Sequence, residues 1–119
     1  MSTRSLIGKE RENNQVEYVY CHFDGYVEGG VGDTLTAHYN SDNVEELLKN
    51  GDMSSLDYTV SDCVFYKDRG YIGVDSAIVN KSDYFSKDNI GWSEYRYLFD
   101  KDSNLICYDV YDGTQTKLK

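Results

Sequence analysis

Cys21, His22 and Asp24 place a thiol, an imidazole and a carboxylate within four residues of one another. These are the ligand types that zinc gathers into a tetrahedral shell. Adjacent residues of a regular strand point to opposite faces. Cys21 and His22 can therefore share an ion only where the strand ends or bulges, and the Asp24-Gly25 turn supplies such a place. A fourth ligand must come from elsewhere in the chain; Cys63 is the first choice and Cys107 the next. Zinc held by Cys21, His22, Asp24 and Cys63 is expected to be structural, because no general base stands beside it and a small domain gains stability from such a clip. The competing reading makes the three cysteines small buried hydrophobes. No CxxC or HxxxH pair separates the two.

Other chemistry has less behind it. The glycine-rich stretch from Asp24 to Gly32 precedes a helix signal and could offer backbone N–H groups to an anion. It lacks the GK[ST] ending of a nucleotide loop, and Glu28 and Asp33 repel phosphate. A tight bend between strand and helix explains its glycines more simply. His22 and His38 are the two histidines, and no nucleophile stands paired with a base. An enzyme, in the form of a small hydrolase acting on a nucleotide, would have to use His22, Asp24, Asp68 and Arg69 at loop ends. Asp68-Arg69 reads first as a turn with a local ion pair. A denser pattern lies further on. Asp83, Tyr84, Asp88, Trp92, Glu94 and Tyr95 interleave rings with carboxylates, and Asp100, Asp102, Asp109 and Asp112 extend the series. Rings anchor protein interfaces and carboxylates select an Arg- or Lys-rich partner, so the first six are the expected partner-binding residues. The alternative is a solvated sheet edge with Tyr cross-strand pairs.

Charge supports a binding role. The 119 residues carry a formal net charge of −9, which repels a phosphate backbone and suits a basic protein surface, including a groove that normally holds nucleic acid. Tyrosine is unusually abundant, at 12 residues, and suits half-buried strands and interfaces. No apolar run approaches the roughly 20 residues that span a bilayer. The first residues do not read as a signal peptide, so a cytoplasmic setting with reduced cysteines is expected.

The elements that must position these residues read as one α+β domain over residues 1–119. Thr3 to Lys9, Gln15 to His22, Asp62 to Lys67, Tyr95 to Phe99 and Asn104 to Tyr111 are strand-like. The second has bulky residues on both faces and should be central. Asp33 can cap a first helix through Leu35 to Tyr39. Asp42, with Glu45 three residues on, forms a capping-box signal for a second that stops at Gly51. Residues 71–89 are ambiguous, read as an irregular strand and a short helical turn around Tyr84. The expectation is a mainly antiparallel sheet of about four to five strands, with two short helices packed on one face.

Several segments also resemble a family of small proteins from phages and mobile elements. TRSLIGKE, YCHFDGY followed by EGGVGDTL, NVEELLKNGDMSSL and YKDRG carry the likeness over roughly the first 70 residues, and the late hairpin carries it more weakly. Val27 stands where the family usually has proline, and Lys67 where many members have histidine, which removes a metal ligand or base. The family has no settled general activity. The resemblance implies conflict between a mobile element and its host, and the chain looks like a member of the type II, Cas9-directed anti-CRISPR class. With the acidic charge, the aromatic content and the absent catalytic set, it points to a non-enzymatic inhibitor of a host defence protein; the charge and the lack of a long apolar run set aside direct contact with nucleic acid or membrane.

Overall fold

The two-residue period of the early strands divides their side chains between two cores, so β1 is buried on both faces. The computed structural model describes residues 2–86 and 90–119. The first strand, β1 (Ser5–Glu10), pairs antiparallel with β2 (Gln15–Cys21), with Ile7 opposite Val19 and Leu6 opposite Tyr20. Ile7, Val19 and Cys21 face a large core, while Leu6 and Val16 face a smaller one on the other side of the sheet. The helices α1 (Val31–His38) and α2 (Val44–Asn50) cover the first face through Val31, Leu35, Val44, Leu47 and Leu48. A one-turn helix, α3 (Lys81–Tyr84), covers the second through Tyr84.

The remaining strands are β3 (Met53–Ser55), β4 (Val64–Phe65), β5 (Ala77–Asn80), β6 (Tyr95–Phe99), β7 (Leu105–Asp109) and β8 (Thr114–Lys117). They join in the order β4-β3-β2-β1-β6-β7-β8, with β5 also beside β2. The expected mainly antiparallel sheet of four to five strands with helices on one face is therefore corrected, although the α+β class holds. Among the described residues the sheet has eight strands and is mixed, since β1–β6 and β2–β3 run parallel. Three helices lie on its two faces. The strand expected over 62–67 shrinks to Val64–Phe65, between two 3-10 turns. β2 is interior as expected, with β1 on one side and β3 and β5 on the other.

Gly8 makes the second core feasible. A Cβ there would lie 2.8 Å from Val16 Cγ1 and 3.0 Å from the Tyr84 hydroxyl. Its absence lets Tyr84 reach the sheet here and donate to Tyr97 O at 2.5 Å.

The second helix starts differently from the capping-box expectation. Asn40, not Asp42, serves the turn: its Oδ1 accepts from Asp42 N and Asn43 N, both at 2.8 Å. Glu45 is drawn away to the sheet. It accepts from Arg11 Nη1 at 2.7 Å, Arg11 Nη2 at 2.6 Å and Lys9 Nζ at 2.8 Å. Arg11 also reaches Glu17 at 2.7 Å, so one guanidinium ties α2 to β2. The bidentate Arg11 contact holds the Glu45 carboxyl down from its usual 4.5 to about 2. A lowered folded-state pKa contributes stability that is present above the unfolded value and lost as pH falls toward the folded one. Glu45→Gln should therefore cost stability at pH 6, and this cost should shrink between pH 4.5 and 2 as the native Glu45 is protonated. Urea midpoints of both proteins across that range check it; a constant difference would show that the ion pair does not carry the effect.

Candidate interaction surface

The predicted zinc ligands lie around the end of β2. Cys21 points into the main core and is fully buried, with its thiol donating to Phe23 O at 3.6 Å. Burial pushes this thiol up to about 12, so it stays protonated. His22 lies on the opposite side of the strand, where Nδ1 pairs with the Tyr20 hydroxyl at 2.6 Å. Asp24 adopts φ 58° and accepts from the Tyr26 hydroxyl at 2.9 Å. Cys63 sits in the main core beside the Tyr39 hydroxyl at 3.5 Å and accepts from Asp57 N at 3.2 Å. Among the described residues, no group of three or more His, Cys, Asp and Glu side chains is placed to hold a metal ion.

The glycine-rich loop spends its amides on itself. Val31 N, Gly32 N and Asp33 N donate to Asp24 O, Tyr26 O and Val27 O. Gly29 N donates to the Asp33 carboxylate at 2.7 Å. These bonds satisfy the first turn of α1, so its amides are not free to bind an anion. Among the described residues, no hydrogen bond or ion pair joins Asp68 or Arg69 to His22 or Asp24.

The acidic and aromatic residues divide. Tyr84 is fully buried beneath the sheet and is no partner contact, contrary to the expectation. Asp83 lies beside it in α3. Asp88 falls outside the described residues. Trp92, Glu94 and Tyr95 converge with residues far away in sequence. Ser5, Cys21, Tyr95, Asp109 and Thr114 form one row across β2, β1, β6, β7 and β8, because their registers coincide. That row marks one end of the sheet. Val110 N donates to Glu94 O at 3.0 Å, tying the β7–β8 turn to the lead-in of β6. Trp92 and Tyr111 then meet edge to face, with ring centroids 5.4 Å apart, and both are exposed. Trp92 Nε1 donates to Glu94 Oε1 at 3.3 Å, and Arg4 N donates to Glu94 Oε2 at 2.5 Å. Burial raises the Tyr95 phenol pKa, and Asp109, Cys107, Asp112 and Glu94 add to it in that order. None of the three carboxylates forms a salt bridge among the described residues.

Tyr111 was not among the expected contact residues, because only the register of β7 against β6 brings it to Trp92. Asp100 and Asp102 belong to the turn at the opposite end, where Lys9, Arg11, Lys81 and Lys101 also cluster around Glu10 and Glu45. Cations at that end are paired, whereas at the Trp92 end Glu94, Asp109 and Asp112 form no salt bridge among the described residues, although Arg4 lies there.

Fold and surface together define a small α+β domain with a mixed sheet and a charge-segregated, aromatic sheet end. No family model, no curated protein and no solved structure matches the chain. Among the described residues, no helix is long and apolar enough to cross a membrane.

Proposed function

We propose that the chain is a non-enzymatic inhibitor, encoded by a mobile element, that binds a basic, nucleic-acid-handling host defence protein in the host cytoplasm. Cas9 is the first candidate, on the resemblance carried by the TRSLIGKE, YCHFDGY and YKDRG segments. The observation that carries the binding reading is the exposed Trp92–Tyr111 pair surrounded by the carboxylates of Glu94, Asp109 and Asp112, with no salt bridge to them among the described residues. Rings supply contact area at low entropy cost, and unpaired carboxylates steer a basic surface toward them. The net charge of −9 turns the same surface away from nucleic acid itself.

Binding to purified Cas9 at two ionic strengths tests this. The complex is expected to form at about 50 mM salt and to weaken several-fold at about 300 mM, where the Debye length falls to roughly 6 Å. Absence of a complex at the lower salt would remove Cas9 as the partner.

A further inference from the structure

The structure assigns a receptor for one kind of side chain to this sheet end: we propose that the concavity beside Tyr111 takes an arginine of the partner, its stem on the rings and its guanidinium on Asp112. The inference rests on the reading of a basic partner and names the group that the partner inserts.

The concavity has a volume of about 350 Å³ and lies between the residues after α3 and the turn joining β7 to β8. Phe85, Tyr108 and Tyr111 give it aromatic walls, and Asp112 stands on its rim. Phe85 and Tyr108 pack with centroids 5.5 Å apart, and Trp92 braces Tyr111 from the side at an interplanar angle of 77°. The walls are thus held by neighbouring rings before any partner arrives. That lowers the entropy cost of binding.

The carboxylate is held as well. Asp112 Oδ1 accepts from Thr114 N at 3.0 Å and from the Thr114 hydroxyl at 2.7 Å. Its Oδ2 has no hydrogen-bond partner among the described residues. Asp109 is engaged in the same one-sided way, with Oδ1 accepting from Tyr111 N at 3.0 Å. Arg4 joins this end through its main chain, donating its N–H to Glu94, and its guanidinium pairs with none of these carboxylates. A fixed acceptor beside fixed rings is complementary to a flat, weakly hydrated cation. Guanidinium stacks on aromatic faces and donates in a planar fork, whereas an ammonium is compact and strongly hydrated. Phosphate and carboxylate ligands are disfavoured by the three negative groups.

Trp92 is the single tryptophan, so its fluorescence reports on this end alone. Capped hexa-arginine and hexa-lysine peptides serve as probes of the intact chain. Hexa-arginine is expected to change the emission saturably and to bind at least about fivefold more tightly than hexa-lysine. Asp112→Asn keeps the Oδ1 acceptor for Thr114, so its fold should persist, and hexa-arginine should bind it at least about fivefold more weakly. Tyr111→Ala, at an exposed ring, should weaken binding to a similar extent with an unchanged melting curve. Equal affinity for the two peptides, or full affinity in both variants, overturns the proposal. The wider reading fails separately. Hexa-arginine binding without Cas9 binding would leave the receptor standing and remove that partner, whereas Cas9 binding indifferent to Asp112→Asn would do the reverse.

Discussion

Gly51→Ala is expected to destabilise the fold by about 4 kcal/mol, a large share of the roughly 5–15 kcal/mol that holds a domain of this size. Two costs combine. Gly51 has φ 83° and ψ −159°, a region open essentially to glycine, and an L-residue held there is strained by about 1–3 kcal/mol. A Cβ would also stand 2.3 Å from Val74 O, a backbone atom that cannot swing aside. Val74 O is itself fixed, since it accepts from Asp52 N at 2.7 Å. Asp52 in turn receives Tyr20 N on its carboxylate at 2.9 Å and Tyr66 N on its carbonyl at 3.2 Å. Relief at Gly51 therefore disturbs the end of α2, β2 at Tyr20 and the turn that follows β4 together. Urea unfolding followed by circular dichroism measures it, and a loss below about 1 kcal/mol would show that the loop relaxes freely.

Arg96→Ala should cost about 3 kcal/mol, and Arg96→Lys should recover less than half of that. Arg96 is fully buried on β6, facing α3. No carboxylate pairs with it among the described residues. Its guanidinium instead donates to Ser93 Oγ at 3.2 Å, to Tyr84 O at 3.1 Å and to Ser86 O. These carbonyls lie at the C-terminal end of α3, where the helix is partially negative and its last C=O groups lack intrahelical donors. Burial lowers the guanidinium pKa from its ordinary 12.5, the cost of holding a cation there. Alanine removes the donors and leaves both a cavity and buried carbonyls without partners. Lysine keeps the charge but lacks the planar fork that reaches several carbonyls at once. Hydrogen exchange over residues 81–86 should accelerate in both variants alongside the fall in melting temperature. Wild-type protection in Arg96→Ala would mean that Tyr84 alone seats the helix.

The strongest local patterns translated directly into structure. β1, β2, β6 and β7 carry alternating or doubly bulky runs, and each formed close to its expected bounds. Gly51 ended α2 because its amide caps Leu47 O and Leu48 O in a conformation that suits glycine. β3 and β8 were not legible, and β5 was legible only as an irregular strand somewhere within 71–89. β3 is three residues long, and β8 is Thr-Gln-Thr-Lys, exposed throughout with no buried face to imprint a period. Such strands exist because a neighbouring edge offers hydrogen bonds, which a local window cannot show. The capping signal at Asp42 and Glu45 failed for a related reason. Two cations on another element hold Glu45 more strongly than a backbone amide would.

For the candidate surface, sequence alone determined the ingredients: a net charge of −9, abundant tyrosine, and the interleaving of Trp92, Glu94 and Tyr95. These are properties of residue types and near neighbours, and they survive folding. Which of the many rings and carboxylates meet was decided by the tertiary structure. Tyr84 entered the sequence pattern as a surface ring, yet Gly8 opened a seat for it in the second core. Tyr111 read only as the last residue of a strand, yet the β6–β7 register set it against Trp92 across 19 positions. Cys21 and His22, adjacent in the chain, were separated onto opposite faces by the two-residue period of β2. Proximity along the chain and proximity in space coincide within a turn. Across a sheet they are related only through register, which the pairing of distant strands establishes.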